Sequence, residues 1–200
     1  MAESGEIDLY FFLGPSQQDI FNSFTKISGR PQLPQQFAIA YHQCRWNYND
    51  ENDVLDVDSK FDQENIPYDV LWLDIEHTDK KKYFTWDTTK FPDPKGMLQK
   101  IAGKSRKMVT IIDPHIFKDE NYHVSSQAKD LDLFVKNYDG SIFDGHCWPG
   151  TSNWIDYSNP KARDYWADLF HYHKYEGSTE ILYTWNDMNE VIFFNSAICF

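Results

Sequence analysis

The sequence predicts an α/β fold with a parallel sheet, specifically a partial (β/α)8 TIM barrel comprising about its first four strands. Three observations point there. Four apolar, β-branched segments are separated by helix-patterned stretches, an alternation that implies a parallel sheet because each crossover must return the chain to the same end. Each of the four segments runs into a cluster of polar and aromatic residues, and in such folds chemistry collects at the C-terminal ends of the strands. A complete barrel takes eight strands and about 250 residues, often more, and only four strands are readable in these 200 residues, so the chain supplies half of one. A doubly wound sheet is the competing arrangement, but it places one or two such clusters at its strand ends, whereas a barrel builds its site from many.

The strand segments are residues 37–43, 68–75, 108–113 and 181–187. The first helix is expected from Asp50 to Asn65, with Val54, Val57 and Phe61 on one face and Ile66-Pro67 closing it. A second opens at Asp93-Pro94, as N-cap and first helical residue, carries Met97, Leu98 and Ile101, and ends near Gly103. A third opens in the same way at Asn159-Pro160, with Ala162, Trp166, Leu169, Phe170 and His173 following at helical spacing. Residues 124–158 are too many for an ordinary strand-to-helix connection, and Asp139-Gly140, Asp144-Gly145 and Pro149-Gly150 mark turns within them.

Composition restricts the function classes. With 41% hydrophobic and 17% aromatic residues the chain can bury a substantial core. Its 31 acidic against 19 basic residues give a net charge of −12, spread along the chain, which argues against nucleic acid or an anionic membrane as partner. No apolar run reaches the roughly 20 residues of a membrane span. The N-terminus lacks the basic region of a secretory signal, so export is not visible and a cytoplasmic location is one expectation. Cys44, Cys147 and Cys199 are widely spaced and suggest neither a disulfide framework nor a structural zinc site. The aromatic residues are abundant, and several stand next to Asp, Asn or His, a combination suited to sugar rings, whose C–H faces stack while their hydroxyls hydrogen-bond.

The clusters at the strand ends are His42-Gln43-Cys44-Arg45-Trp46, Asp74-Ile75-Glu76-His77, Asp113-Pro114-His115 and Asp187-Met188-Asn189-Glu190. Asp74, Asp113 and Asp187 would therefore sit together on one rim, flanked by Trp72, Trp148 and Trp185. Grouped carboxylates suit chemistry on a cationic transition state, and retaining glycosidases need one to attack the anomeric carbon and another, protonated, to assist the leaving oxygen. The Asp/His clusters could also suggest a metal, but carboxylate-based sugar hydrolysis requires neither a metal nor a cofactor.

The run Trp185-Asn186-Asp187-Met188-Asn189-Glu190 resembles the nucleophile signature of glycoside hydrolase family 31, in particular its neutral α-glucosidases. Tyr41-His42-Gln43-Cys44-Arg45-Trp46-Asn47-Tyr48 and Trp72-Leu73-Asp74-Ile75-Glu76-His77 are similar to the ends of that family's first and second barrel strands. Tyr83-Phe84-Thr85-Trp86-Asp87, Asp113-Pro114-His115-Ile116 and Cys147-Trp148-Pro149-Gly150 follow in the family's order. The resemblance implies that Asp187 is the catalytic nucleophile, that Asp74 binds hydroxyls of the glucose being cleaved, and that Trp148, Trp185, Met188 and Trp46 line its pocket. It implies retaining hydrolysis of terminal α-linked glucose from oligosaccharides or N-glycans. It further implies an endoplasmic-reticulum setting and a non-catalytic subunit as partner of the full-length enzyme. A carbohydrate-binding remnant without turnover is the alternative, because the family's acid/base Asp belongs to a later strand. Three segments are thus expected: a lead-in over 1–36, a partial catalytic barrel over 37–190, and an atypical tail over 191–200, where the family has a Pro and a polar loop.

Overall fold

The structure, a computed structural model, describes residues 6–189, which fall into two compact units divided between Ile39 and Ala40. In the first, helix α1 (Gln17–Ser28) is capped by Ser16, whose Oγ accepts the Asp19 N–H, and Phe12 packs edge-on against Phe24 at 5.5 Å. The expected strand over 37–43 is mostly absent. Gln36–Ile39 form a 3-10 turn, closed by the Ala38 N–H on the Gln35 carbonyl at 3.0 Å. The apolar composition of that stretch was misleading because only His42 and Gln43 find strand partners, Val70 and Leu71.

The second unit begins with strand β1 (His42–Gln43) and helix α2 (Glu51–Gln63), which Asp50 caps by accepting the Asp53 N–H at 2.8 Å. Strand β2 (Val70–Leu73) leads to helix α3 (Pro94–Ala102), capped by Asp93, and then to strand β3 (Lys107–Ile111). An excursion follows. Its strand β4 (His115–Phe117), helix α4 (His123–Asp130) and strands β5 (Gly145–Cys147) and β6 (Gly150–Trp154) occupy much of what the sequence suggested was one long loop. Helix α5 (Pro160–Asp168) and strand β7 (Leu182–Trp185) return the chain to the main sheet. The third expected helix therefore stops short of His173, yet Leu169 and Phe170 beyond its end still enter the core.

Strands β1, β2, β3 and β7 form one parallel sheet in that order, as the alternation of elements predicted, while β4, β6 and β5 form a separate antiparallel sheet. Register fixes the two faces of the parallel sheet. Leu71 pairs with Met108 and Met108 with Leu182; the first two are fully buried in the core that also holds Leu73, Met97, Leu98 and Ile101 of the helical layer. Side chains alternate along a strand, so Trp72, Val109, Ile111 and Trp185 lie on the opposite, inner face.

At the N-terminal end of the sheet two carboxylates of α2, Asp58 and Asp62, meet cations. Arg106, just before β3, donates to Asp58 Oδ1 at 2.6 Å and to Asp62, both on α2. Lys104 Nζ reaches Asp62 Oδ2 at 2.6 Å and also contacts Asp58. The Tyr68 hydroxyl, just before β2, donates to Asp58, and the Arg106 guanidinium lies 4.1 Å from the Tyr68 ring centre. Arg106, followed by Lys104, holds the Asp62 carboxyl down to about 2, and burial followed by the Asp58 carboxylate pushes the Tyr68 hydroxyl up.

Candidate active site

The inner face leads into the site. His42, Trp72 and Trp185 come from β1, β2 and β7; Trp72 donates its indole N–H to His42 Nδ1 at 2.9 Å and packs against Trp185 at 5.4 Å between ring centres. Beyond the strand ends Asp74 and Asp187 continue the inner-face alternation, Asp74 one residue past β2 and Asp187 two past β7. Burial, opposed by the Ile75 N–H and reinforced by the Asp187 charge, raises the Asp74 carboxyl above its ordinary range. Among the described residues neither carboxylate is in an ion pair, unlike Asp58 and Asp62 at the other end of the sheet.

Each is held by local backbone. Asp74 caps a 3-10 turn (Ile75–His77), its Oδ1 accepting the Ile75 N–H at 2.6 Å. His77, buried beneath it, sets Nδ1 2.7 Å from the Asp74 carbonyl and Nε2 3.3 Å from the Tyr175 hydroxyl. Nδ1 therefore carries the proton, and burial depresses the imidazole to about 4, keeping it neutral. Asp187 Oδ1 accepts the Met188 N–H at 2.9 Å, and Met188 sits at φ 55°, in the left-handed region that a side chain of its size seldom occupies. Such backbone is retained where surrounding structure over-determines it, commonly at functional sites.

The remaining predicted residues divide. Trp148 and Pro149 form the two-residue tip of the β5–β6 hairpin, where Cys147 pairs with Gly150, and the Trp148 side chain is left 39% exposed. Trp46, after β1, is 69% exposed and no described aromatic ring packs on it, so the structure does not gather it with Trp72 and Trp185. Asp113 also departs from the expected rim of three carboxylates. It is fully buried, accepts the Tyr83 hydroxyl, and is shut away from the space above the sheet. His115 Nε2 lies 3.0 Å from the same hydroxyl, and burial lowers that imidazole to about 3. Two carboxylates, not three, face the site. Among the described residues no group of three or more His, Cys, Asp and Glu is arranged to hold a metal ion.

Sequence reasoning passed over His42 and the role of His77. The latter left a signal: in a 3-10 turn, side chains three residues apart eclipse, so Asp74-Ile75-Glu76-His77 brings His77 back to Asp74.

A four-stranded parallel sheet flanked by helices, with Asp on its inner rim and indoles beneath, is a sector of an α/β-barrel domain. Residues 31–199 match the Glycosyl hydrolases family 31 TIM-barrel domain, and the chain belongs to that family. It is 56% identical over 195 residues to a probable glucan 1,3-alpha-glucosidase of Oryza sativa subsp. japonica, and the match covers 98% of this chain and 21% of that protein. It is 51% identical over 195 residues to human neutral alpha-glucosidase AB, with the same shares covered. Among solved structures, a crystal structure of the ER glucosidase II heterodimeric complex, consisting of the catalytic subunit and the binding domain of the regulatory subunit, superposes with a TM-score of 0.88. That match has 54% identity and covers 92% of this chain and 20% of that one. The chain thus spans about a fifth of the length of the relatives it matches.

Proposed function

We propose that this chain carries the nucleophile-bearing part of a retaining α-glucosidase site, acting on terminal α-linked glucose of oligosaccharides or N-glycans. Asp187 attacks the anomeric carbon and forms a glycosyl ester; Asp74 accepts hydrogen bonds from hydroxyls of that glucose. Trp148, Trp185 and Met188 bound the ring. The observation that carries this reading is the pairing of Asp74 with Asp187 at the ends of β2 and β7, without a neutralising cation, over the Trp72–Trp185 indoles. Concentrated negative charge on an apolar floor stabilises an oxocarbenium-like transition state and binds cationic sugar analogues. The similarity to glucosidase II supports an endoplasmic-reticulum setting and a regulatory subunit as partner of the whole enzyme.

The general acid is assigned to a later strand, on the family resemblance. Unactivated glucosides should therefore react with this chain at a rate lower by about 10²- to 10⁴-fold than acid assistance would allow. A glucosyl fluoride avoids that requirement, because fluoride departs without a proton. With an analogue whose second fluorine slows deglycosylation, the C–F bond breaks, a C–O ester forms on Asp187 and fluoride leaves. Mass spectrometry should find one glycosyl group on the Asp187 peptide of the wild type and none in Asp187→Asn. Labelling elsewhere, or equal labelling of the variant, refutes the nucleophile. Binding of a cationic iminosugar without any adduct favours the non-catalytic carbohydrate-binding alternative.

A further inference from the structure

The turn that follows Asp74 and the Trp148-Pro149 hairpin tip share a cavity of about 400 Å³, within the range of small-ligand sites. Its charge differs from that of the carboxylate pair. Lys80, Lys81 and Lys90 line it against Glu76 and Asp87, an excess of cations on a chain whose net charge is −12. The lysines are loosely engaged. Lys81 stands 3.8 Å from Glu76 and Lys90 3.8 Å from Asp87, well beyond the roughly 2.7–2.9 Å of a charge-assisted hydrogen bond. Asp87 Oδ1 is already occupied by the backbone and hydroxyl of Thr89 at 2.9 and 2.6 Å. Lys80 makes no ion pair among the described residues. It is also held at φ 51° and ψ 43°, with Lys81 at φ 62°, so two consecutive lysines take a backbone conformation that favours glycine. Opposite them, Trp148 offers a part-exposed indole, an aromatic face suited to stacking a sugar ring.

We propose that this cavity is a second saccharide subsite, selective for a hexose bearing an anionic substituent, either a phosphate ester or a uronic carboxylate. The ring stacks on Trp148, and Lys80 and Lys81 hold the anion. The inference rests on the proposed function only in treating Trp148 as a sugar platform; it requires neither Asp74 nor Asp187 to act.

Calorimetric titration of the full 200-residue chain with glucose 6-phosphate, glucuronate, glucose and inorganic phosphate tests it. Both anionic hexoses should bind about ten-fold more tightly than glucose at low ionic strength, with the advantage shrinking as salt is added. Lys80→Gly should remove most of that advantage without lowering the unfolding midpoint, since glycine accepts the local φ, and Lys80→Arg should retain it. Trp148→Ala should weaken all three hexoses. Equal affinity for glucose and the anionic hexoses overturns the proposal, as does the absence of any saccharide binding. So does inorganic phosphate competing as well as glucose 6-phosphate while Trp148→Ala changes neither, which would mark a bare cationic patch. Failure of the Asp187 labelling with anionic-hexose selectivity intact refutes the nucleophile alone; the reverse result refutes this subsite alone.

Discussion

The two ends of the parallel sheet use the same residue type in opposite ways. At the N-terminal end Asp58 is buried, and Arg106, Lys104 and the Tyr68 hydroxyl converge on it. At the C-terminal end Asp74 and Asp187 follow β2 and β7 on the inner face, neither in an ion pair among the described residues, and burial followed by the Asp187 charge raises the Asp74 carboxyl. A paired carboxylate serves folding, because losing it strands its partners. An unpaired one costs stability, and under the function proposed above it is retained for what it does to a ligand. This is the division a barrel imposes, with stability at one end of the strands and chemistry at the other.

Four experiments can break or sharpen that contrast. The largest effect is expected from Asp58→Ala, which leaves the guanidinium of Arg106 and the Tyr68 hydroxyl buried without their acceptor; urea denaturation should show a loss of about 3–5 kcal/mol. A cost under about 1 kcal/mol would show that the network is a surface feature. Next comes acid sensitivity. His77 and His115 have folded pKa values of about 4 and about 3, below the ordinary imidazole value, so the unfolded chain binds more protons in the interval between. Stability is fully present above about pH 6.5 and is lost as pH falls toward those values. At pH 5.5 each imidazole should cost about 1.2 kcal/mol relative to pH 7, and His77→Gln should flatten the profile by one such step. A profile unchanged by that variant would mean that His77 titrates normally.

A smaller effect is expected from Arg106→Lys, which keeps the charge but forfeits the two-carboxylate fork and the stacking over Tyr68. The loss should be about 1–2 kcal/mol by the same denaturation assay, and retention of full stability would show that the charge alone suffices. The smallest carries the opposite sign. Asp74→Asn keeps an acceptor for the Ile75 N–H and removes a carboxylate that folding keeps partly desolvated. Stability at pH 7 should rise by less than about 1 kcal/mol, while affinity for a cationic iminosugar falls. Destabilisation would place Asp74 with Asp58 as a structural residue.

What could be read from the sequence was what local chemistry decides. Asp93 and Asn159 cap their helices as their place before Pro indicated, each accepting an N–H at 3.0 Å within three residues of itself, and Asp50, read as the start of its helix, caps it at 2.8 Å. The strand alternation likewise needed only a few neighbouring residues. Features decided by distant partners were not legible. The antiparallel sheet is made of short segments such as Gly150–Trp154, largely polar, whose pairing across the excursion and not their composition makes them strands. Asp113 looked like a third rim carboxylate until Tyr83, 30 residues earlier, closed over it. Residues 37–43 had a strand's composition but only two residues of partner strand, His42 opposite Val70 and Gln43 opposite Leu71. Glu190 and the expected tail over 191–200 lie outside the described residues.

The register of the sheet also restricts how descendants of this sequence can change length. Asp74 and Asp187 share the alternation of Trp72 and Trp185, so one residue gained or lost within β2 or β7 would send the carboxylate toward the helical layer along with the indole before it. The antiparallel excursion between β3 and α5 carries no such parity relation to the main sheet. Lineages are therefore free to lengthen, shorten or replace that excursion and so remodel the mouth of the site, while the strands beneath keep a fixed count.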